Sequence, residues 1–146
     1  VSRTKPAEVR FYIDADLLGL ARVLAPIRSD ITYPGDPGAV IHKRLRPACP
    51  ITSPTVKDSE WIPEVARQGW LILTRDRHIQ EHRLEIQAVR EHRARMIALT
   101  GADAGSVFAQ LEVVMCRWRD IERCACQTPP FIYSATRTTL RPVPLT

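Results

Sequence analysis

The stretch Trp70-Leu-Ile-Leu-Thr74 limits the folds open to this chain more than any other. It is apolar without interruption up to Thr74, so a strand formed here has both faces covered. Two covered faces require helices above and below a sheet, and the flanking sequence offers them. Residues 60–68 read as a helix whose C-cap is Gly69, with Pro63 acceptable only in a first turn. A helix near 82–92 follows, then a strand at 94–99 and a long helix at about 104–123. In that helix Val107, Phe108, Leu111, Val114, Met115, Trp118 and Ile121 are expected to make a broad core stripe. Upstream, residues 9–13 read as a first strand ending at Asp14, and 17–25 as a helix stopped by Pro26. Residues 39–42 suggest a short strand, 47–54 a loop, and 131–135 a last strand before a polar, Pro-containing tail. Such strand–helix alternation predicts the α/β class, a mainly parallel sheet with helices on both faces.

At 146 residues, with 45% hydrophobic and 25% charged content, the chain has the size and balance of one ordinary domain. We expect a single domain over 1–146, with its core at about 9–135 and a tail at 136–146. No apolar run reaches the length of a membrane span, and no hydrophobic segment follows the first charges, which argues against membrane and secretory proteins. The four cysteines, Cys49, Cys116, Cys124 and Cys126, are too few for a disulfide scaffold, and Cys-Ala-Cys is a poor zinc spacing. A reducing, cytoplasmic location is expected.

The charge balance is uneven: 21 Lys and Arg against 16 Asp and Glu give +5, and apart from Lys5, Lys43 and Lys57 the basic residues are all arginine. Arginine binds phosphate bidentately and stacks on bases, so nucleic acid is a candidate partner, with a solvated basic surface as the plain alternative.

In a parallel α/β sheet, functional groups gather beyond the carboxyl ends of the strands. The first strand ends in Asp14-Ala-Asp16, the 70–74 strand in Thr74-Arg75-Asp76, and the helix between them opens with Asp58-Ser-Glu60. If these strands are neighbours, several carboxylates converge. Like charges that close persist only when a cation neutralises them, and oxygen donors suit Mg²⁺ or Mn²⁺. A carboxylate-held ion beside a basic surface suits phosphodiester hydrolysis. Each acid also has a structural reading: Asp14, Asp16, Asp58 or Ser59 as helix caps, and Asp76 as a turn residue. Lys57, Arg75 and Arg77 flank the acids closely enough to contact a phosphate or to compensate their charge. His78 and His82 lack the Glu that a zinc-helix pattern needs. Trp61, Trp70 and Trp118 read as core.

The blocks Phe11-Tyr-Ile-Asp14, Lys57-Asp58-Ser-Glu-Trp61-Ile-Pro-Glu-Val, Gly69-Trp-Leu-Ile-Leu-Thr74-Arg-Asp76-Arg and Pro130-Phe-Ile132 resemble those of PIN domains, most closely the VapC-type toxins of bacterial toxin–antitoxin pairs. The resemblance implies a three-layer α/β/α sandwich and a Mg²⁺- or Mn²⁺-dependent ribonuclease. Its acids would be Asp14, Asp58 and Asp76, with the Thr74 hydroxyl in support. It also implies RNA as substrate, a small cognate antitoxin and frequent dimerisation. Two positions depart from the family pattern. The middle acid is usually Glu, and here Asp58, Glu60 and Glu64 compete. The fourth acid is absent after Asp76, leaving Asp16 or the more distant Glu85 as substitutes. Two other readings remain: a haloacid-dehalogenase-type phosphatase with Asp14 as nucleophile and Asp16 as acid–base, and a non-catalytic PIN-like module that binds RNA or protein.

Overall fold

The apolar runs do become strands, and their side chains alternate between two helical layers. The computed structural model describes residues 3–75 and 79–145, with 79–82 described by backbone alone. In chain order it contains β1 (Lys5–Pro6), β2 (Phe11–Ile13), a 3-10 turn (Ala15–Leu17), α1 (Leu18–Leu24), β3 (Ile31–Thr32), β4 (Ala39–Ile41), β5 (Arg44–Arg46) and α2 (Asp58–Gln68). There follow β6 (Leu71–Arg75), α3 (Ile79–His92), β7 (Arg95–Leu99), a second 3-10 turn (Gly101–Ala104), α4 (Val107–Ala125), β8 (Phe131–Ala135) and β9 (Leu140–Pro142).

The main sheet has the order β3-β2-β6-β7-β8-β9. All its pairings are parallel except β8 with β9, so the mainly parallel α/β architecture holds. Phe11, Ile13, Leu71, Leu73, Ile97 and Leu99 face one layer, where Leu20 and Leu24 of α1 and Val113, Val114 and Ile121 of α4 cover them. Tyr12, Ile72, Met96 and Ile132 face the other, under Trp61, Ile62 and Val65 of α2 and Val89 of α3. This period-two division is why the 70–74 run had no polar residue to spare: each neighbour in sequence enters a different core.

Several expectations change. The first strand begins at Phe11, the first residue to pair with Ile31 of β3. The α2 helix begins at Asp58, so Pro63 lies beyond its first turn, where it forfeits a bond to the carbonyl of Ser59. Burial of Trp61, Ile62 and Val65 outweighs that loss, and Gly69 closes the helix in the left-handed conformation at φ 78°. The broad stripe on α4 is too broad. Its buried face runs through Gln110, Val113, Val114, Ile121 and Cys124, while Phe108 is 73% and Met115 65% exposed. At 100° per residue, positions 108 and 115 share a face that looks away from the sheet. Trp61 is buried as expected, whereas Trp70 and Trp118 are only partly covered. The tail contributes β9 on the sheet edge.

The segment 27–54 contains more structure than its sequence suggests. Arg44–Arg46, which gave no strand signal, pairs antiparallel with β4 and parallel with β1 to make a small second sheet. A buried ion pair ties this sheet to the body: Arg46 Nε donates to Asp36 Oδ2 at 2.7 Å, with side chains 3% and 1% exposed. The Thr32 hydroxyl and the Gly38 amide donate to the same carboxylate at 2.9 and 2.8 Å. Arg46 Nη1 reaches the carbonyls of Ala25 and Arg28 at 3.0 and 3.1 Å. Gly38 is required where it stands: its φ is +86°, and a Cβ would meet the Arg46 carbonyl at 2.5 Å. Because both charges are buried and hydrogen-bonded to each other, removing one strands the other. Asp36→Ala is therefore expected to cost about 3–5 kcal/mol, read as a lower midpoint in urea unfolding. A loss within experimental error would show that the pair is not anchoring this segment.

Candidate functional site

The β2 and β6 strands are adjacent and parallel, with Ile13 opposite Leu73, so both deliver their next residues to one edge of the sheet. Those residues are Asp14 and Thr74, in phase with Tyr12 and Ile72 and therefore on the α2/α3 side. Asp14 is 1% exposed and Thr74 fully buried. The Thr74 hydroxyl lies 2.9 Å from Asp14 Oδ2, and the Ala15 amide donates to Asp14 Oδ1 at 2.6 Å. The same hydroxyl is 3.3–3.4 Å from both oxygens of Asp16, whose carboxylate also accepts from the Arg75 amide at 3.3–3.4 Å. Two carboxylates, 60 and 58 residues before their shared donor, are thus brought to one hydroxyl by the β2–β6 register. Asp14 also caps the 3-10 turn that follows it, so its capping role and its place in the cluster coexist.

The third acid of the described set arrives from α2. The N-cap position belongs to Lys57, and neither Asp58 nor Ser59 caps the helix. Instead Asp58 Oδ1 accepts from the Trp61 indole at 2.9 Å, one helical turn on. The Trp61 ring lies 5.1 Å from that of Tyr12, which sits on β2 two residues before Asp14. Burial, and then the nearby charges of Asp14, Cys49, Asp58 and Asp16, push the Tyr12 phenol well above the ordinary tyrosine range. This phenol registers the negative potential of all three aspartates, although they come from two separated segments.

A cleft of about 530 Å³ opens beside Asp58, between the start of α2 and α3. Lys57, Asp58, Leu84, Glu85 and His92 line it. Glu85 is only 5% exposed, so α3 turns this distant acid toward the same side as Asp58. Asp103 is occupied elsewhere, pairing with Arg137 at 3.5 Å. Glu64 lies further along α2, paired with Arg67, and Glu60 is exposed. Of the competing middle acids, Asp58 is the one with both a fixed carboxylate and a place in the cleft. Arg75 is exposed at the end of β6. Asp76, Arg77 and His78 lie outside the described residues, as does the side chain of His82.

Among the described residues, no three His, Cys, Asp or Glu side chains form a group able to hold a metal ion. The donors that do converge are all oxygens: two carboxylates on one hydroxyl, with a third adding to the same potential. Hard divalent cations prefer that chemistry, so the donor set fits such an ion without completing its shell. Tyr12 and Trp61 are the site components that sequence reasoning missed. Their signals were present in the two-residue step from Tyr12 to Asp14 and the three-residue step from Asp58 to Trp61. Both read equally well as core.

The family model for a PIN like domain matches residues 9–101, which contain β2, α2, β6 and the aspartates Asp14, Asp16 and Asp58. No curated protein and no solved structure matches the chain.

Two expectations test this geometry. Trp61→Phe keeps the ring against Tyr12 but removes the indole donor to Asp58, and should cost about 1 kcal/mol in urea unfolding. An unchanged midpoint would mean that the bond contributes nothing. Because the folded-state pKa of Tyr12 is raised, the folded protein holds that proton longer than the unfolded chain. Its contribution is complete below about pH 10 and is lost as the pH rises beyond that value. Stability should therefore fall above about pH 10, and fall less steeply in Tyr12→Phe. Parallel curves for the two proteins would refute it.

Proposed function

The chain belongs to the PIN-like domain family, a nuclease-type module, and on that premise we propose that it is a metal-dependent endoribonuclease of the VapC toxin type. The observation that carries the reading is the meeting of Asp14 and Asp16 at the Thr74 hydroxyl, an acidic pair, one member buried and the other half-buried, at a parallel strand edge. Asp14, Asp58 and Asp76 would hold Mg²⁺ or Mn²⁺, with Asp16 beside them. Bound there, the ion supplies Lewis-acid chemistry at the scissile phosphate. Thr74 fixes the Asp14 carboxylate, and Trp61 fixes that of Asp58, so neither has to be ordered when RNA arrives. Lys57, exposed at the mouth of the cleft, and Arg75 and Arg77 contact phosphate. The phosphatase reading suits the site less well: Asp14 is nearly sealed and held by two donors, a poor arrangement for attack on phosphorus.

A small antitoxin would silence the enzyme by placing a basic side chain against the acids, an attraction the anionic cluster favours. A cytoplasmic setting and a homodimer belong to the same proposal. Phe108 and Met115 on α4 offer an apolar surface for the second copy, and sedimentation as a monomer at every concentration would count against it.

The test is cleavage of RNA by the purified chain with Mg²⁺ or Mn²⁺. Asp14→Asn and Asp76→Asn should each lower the rate by about a hundredfold or more while the fold is retained by circular dichroism. Thr74→Val, which removes a positioning hydroxyl, should lower metal affinity or rate by about 10–100-fold. Undiminished cleavage by Asp14→Asn would sink the assignment. Binding of RNA with no cleavage in any metal would favour the non-catalytic module.

A further inference from the structure

The opposite end of the sheet carries a second concentration of charge, which the acidic site does not use. A cleft of about 530 Å³ lies between the small sheet and the amino ends of β2 and β3. Arg10, Arg28, His42 and Arg44 line it, together with the carboxylates Glu8 and Asp30. Asp30 is consumed locally, because Arg28 grips both its oxygens at 2.8 and 2.9 Å. Lys5 lies alongside Arg44 through the parallel β1–β5 register, and its amide donates to the Lys43 carbonyl at 3.0 Å. Lys5, His42, Lys43 and Arg44 are all exposed. Among the described residues, none of Lys5, Lys43 and Arg44 forms an ion pair.

The tip of this hairpin is built against backbone preference. Ile41 pairs with Arg44, so His42 and Lys43 form a two-residue loop. Their φ values are +48° and +64°, a conformation that Asn and Gly adopt far more readily. A chain that needed only the turn would be better served by Asn-Gly. Here both strained positions carry long polar or cationic side chains, followed at once by Arg44. Strained positions held by such side chains point to a role for the side chains themselves.

We propose that the β4–β5 hairpin, with Lys5 and Arg10, is an exosite for the phosphodiester backbone of RNA. The parallel strand β2 joins the two sites. Arg10 precedes it and Asp14 follows it, about 13 Å apart at the usual rise of a strand. An RNA long enough to pass from one sheet end to the other engages both sites, whereas a short oligonucleotide occupies the acids alone. Glu8 is the opposing charge in the cleft and favours contact along the hairpin rim rather than at the cleft floor. Recognition of this kind is electrostatic and independent of sequence. The proposal rests on the nuclease reading for its substrate.

Its test separates the side chains from the turn. His42→Asn/Lys43→Gly supplies the residues this loop prefers, so its melting temperature should rise or hold while its affinity for long RNA falls. Lys5→Gln/Arg44→Gln removes charge without touching the loop. Binding is measured by fluorescence anisotropy on the full chain in EDTA, with single-stranded RNA of about 20 and about 2 nucleotides. Each variant should bind the long RNA roughly tenfold more weakly, with the salt slope reduced by about 0.7 for each cation removed, while the short RNA, with no metal at the acids, binds weakly to all three proteins. Cleavage of the short RNA with Mg²⁺ should be unchanged in both variants. Long-RNA affinity and salt slope unchanged in both variants would overturn the exosite. If the wild-type chain cleaves neither RNA in any metal, the nuclease reading fails. A drop in salt-dependent binding in the variants would then still uphold the hairpin as an RNA-backbone surface.

Discussion

The site depends on one hydrogen bond across two parallel strands, from the Thr74 hydroxyl to Asp14 Oδ2. Without the β2–β6 pairing these residues would be sixty positions apart, and the buried Asp14 carboxyl would lose one of its donors. A buried carboxylate is tolerated only when hydrogen bonds replace its lost hydration, and here the Ala15 amide and the Thr74 hydroxyl do so. The same hydroxyl lies within reach of Asp16, so one small side chain organises two acids. Thr74 is also where the apolar run of β6 stops. The transition from fully covered strand to polar edge is the place where buried polar chemistry becomes possible.

The second core extends that logic to Asp58. Tyr12, Ile72 and Met96 present a flat apolar surface on which α2 lies with Trp61, Ile62 and Val65 inward. Once Trp61 packs on Tyr12, its indole nitrogen is turned toward the start of the helix and holds Asp58. Packing and site geometry are therefore coupled: the residues that stabilise α2 on the sheet also decide where its first acid stands. The buried Asp36–Arg46 pair plays the comparable part at the other end, anchoring the small sheet whose hairpin tip carries the exposed cations. Acids and free cations are thereby held at opposite ends of β2, a separation that the net charge of +5 conceals.

The elements most legible in the sequence were those with one dominant physical requirement. The 70–74 and 94–99 runs could be little other than buried strands, and Phe131–Ala135 forms as expected. Residues 27–54 were poorly legible because their order comes from a buried charge network and backbone bonds rather than hydrophobic period. Arg44-Leu-Arg46 has no apolar alternation to announce β5. The α4 stripe was misjudged because seven apolar positions cover more than one helix face, and only contact with the sheet chooses which face is buried. Asp14, Asp16, Asp58 and Thr74 could be picked out by their positions at strand ends and a helix start. Trp61 and Tyr12 could not, since an aromatic residue that packs and one that also positions an acid look alike in one dimension.

By itself, the sequence determined the order of strands and helices, the apolar surfaces that make two cores, and the points where acids interrupt them. Those follow from local periodicity and from the cost of leaving long apolar runs in water. Tertiary structure alone decided that β2 lies between β3 and β6, and its pairing with β6 turns two distant segments into one acidic edge. It also decided that α3 brings Glu85 to the cleft side, that Phe108 and Met115 face outward, and that Arg46 is buried against Asp36 while Arg44 is exposed. Each of these depends on which surface a residue meets across the fold, and a pairwise contact between remote segments has no periodic trace in the chain.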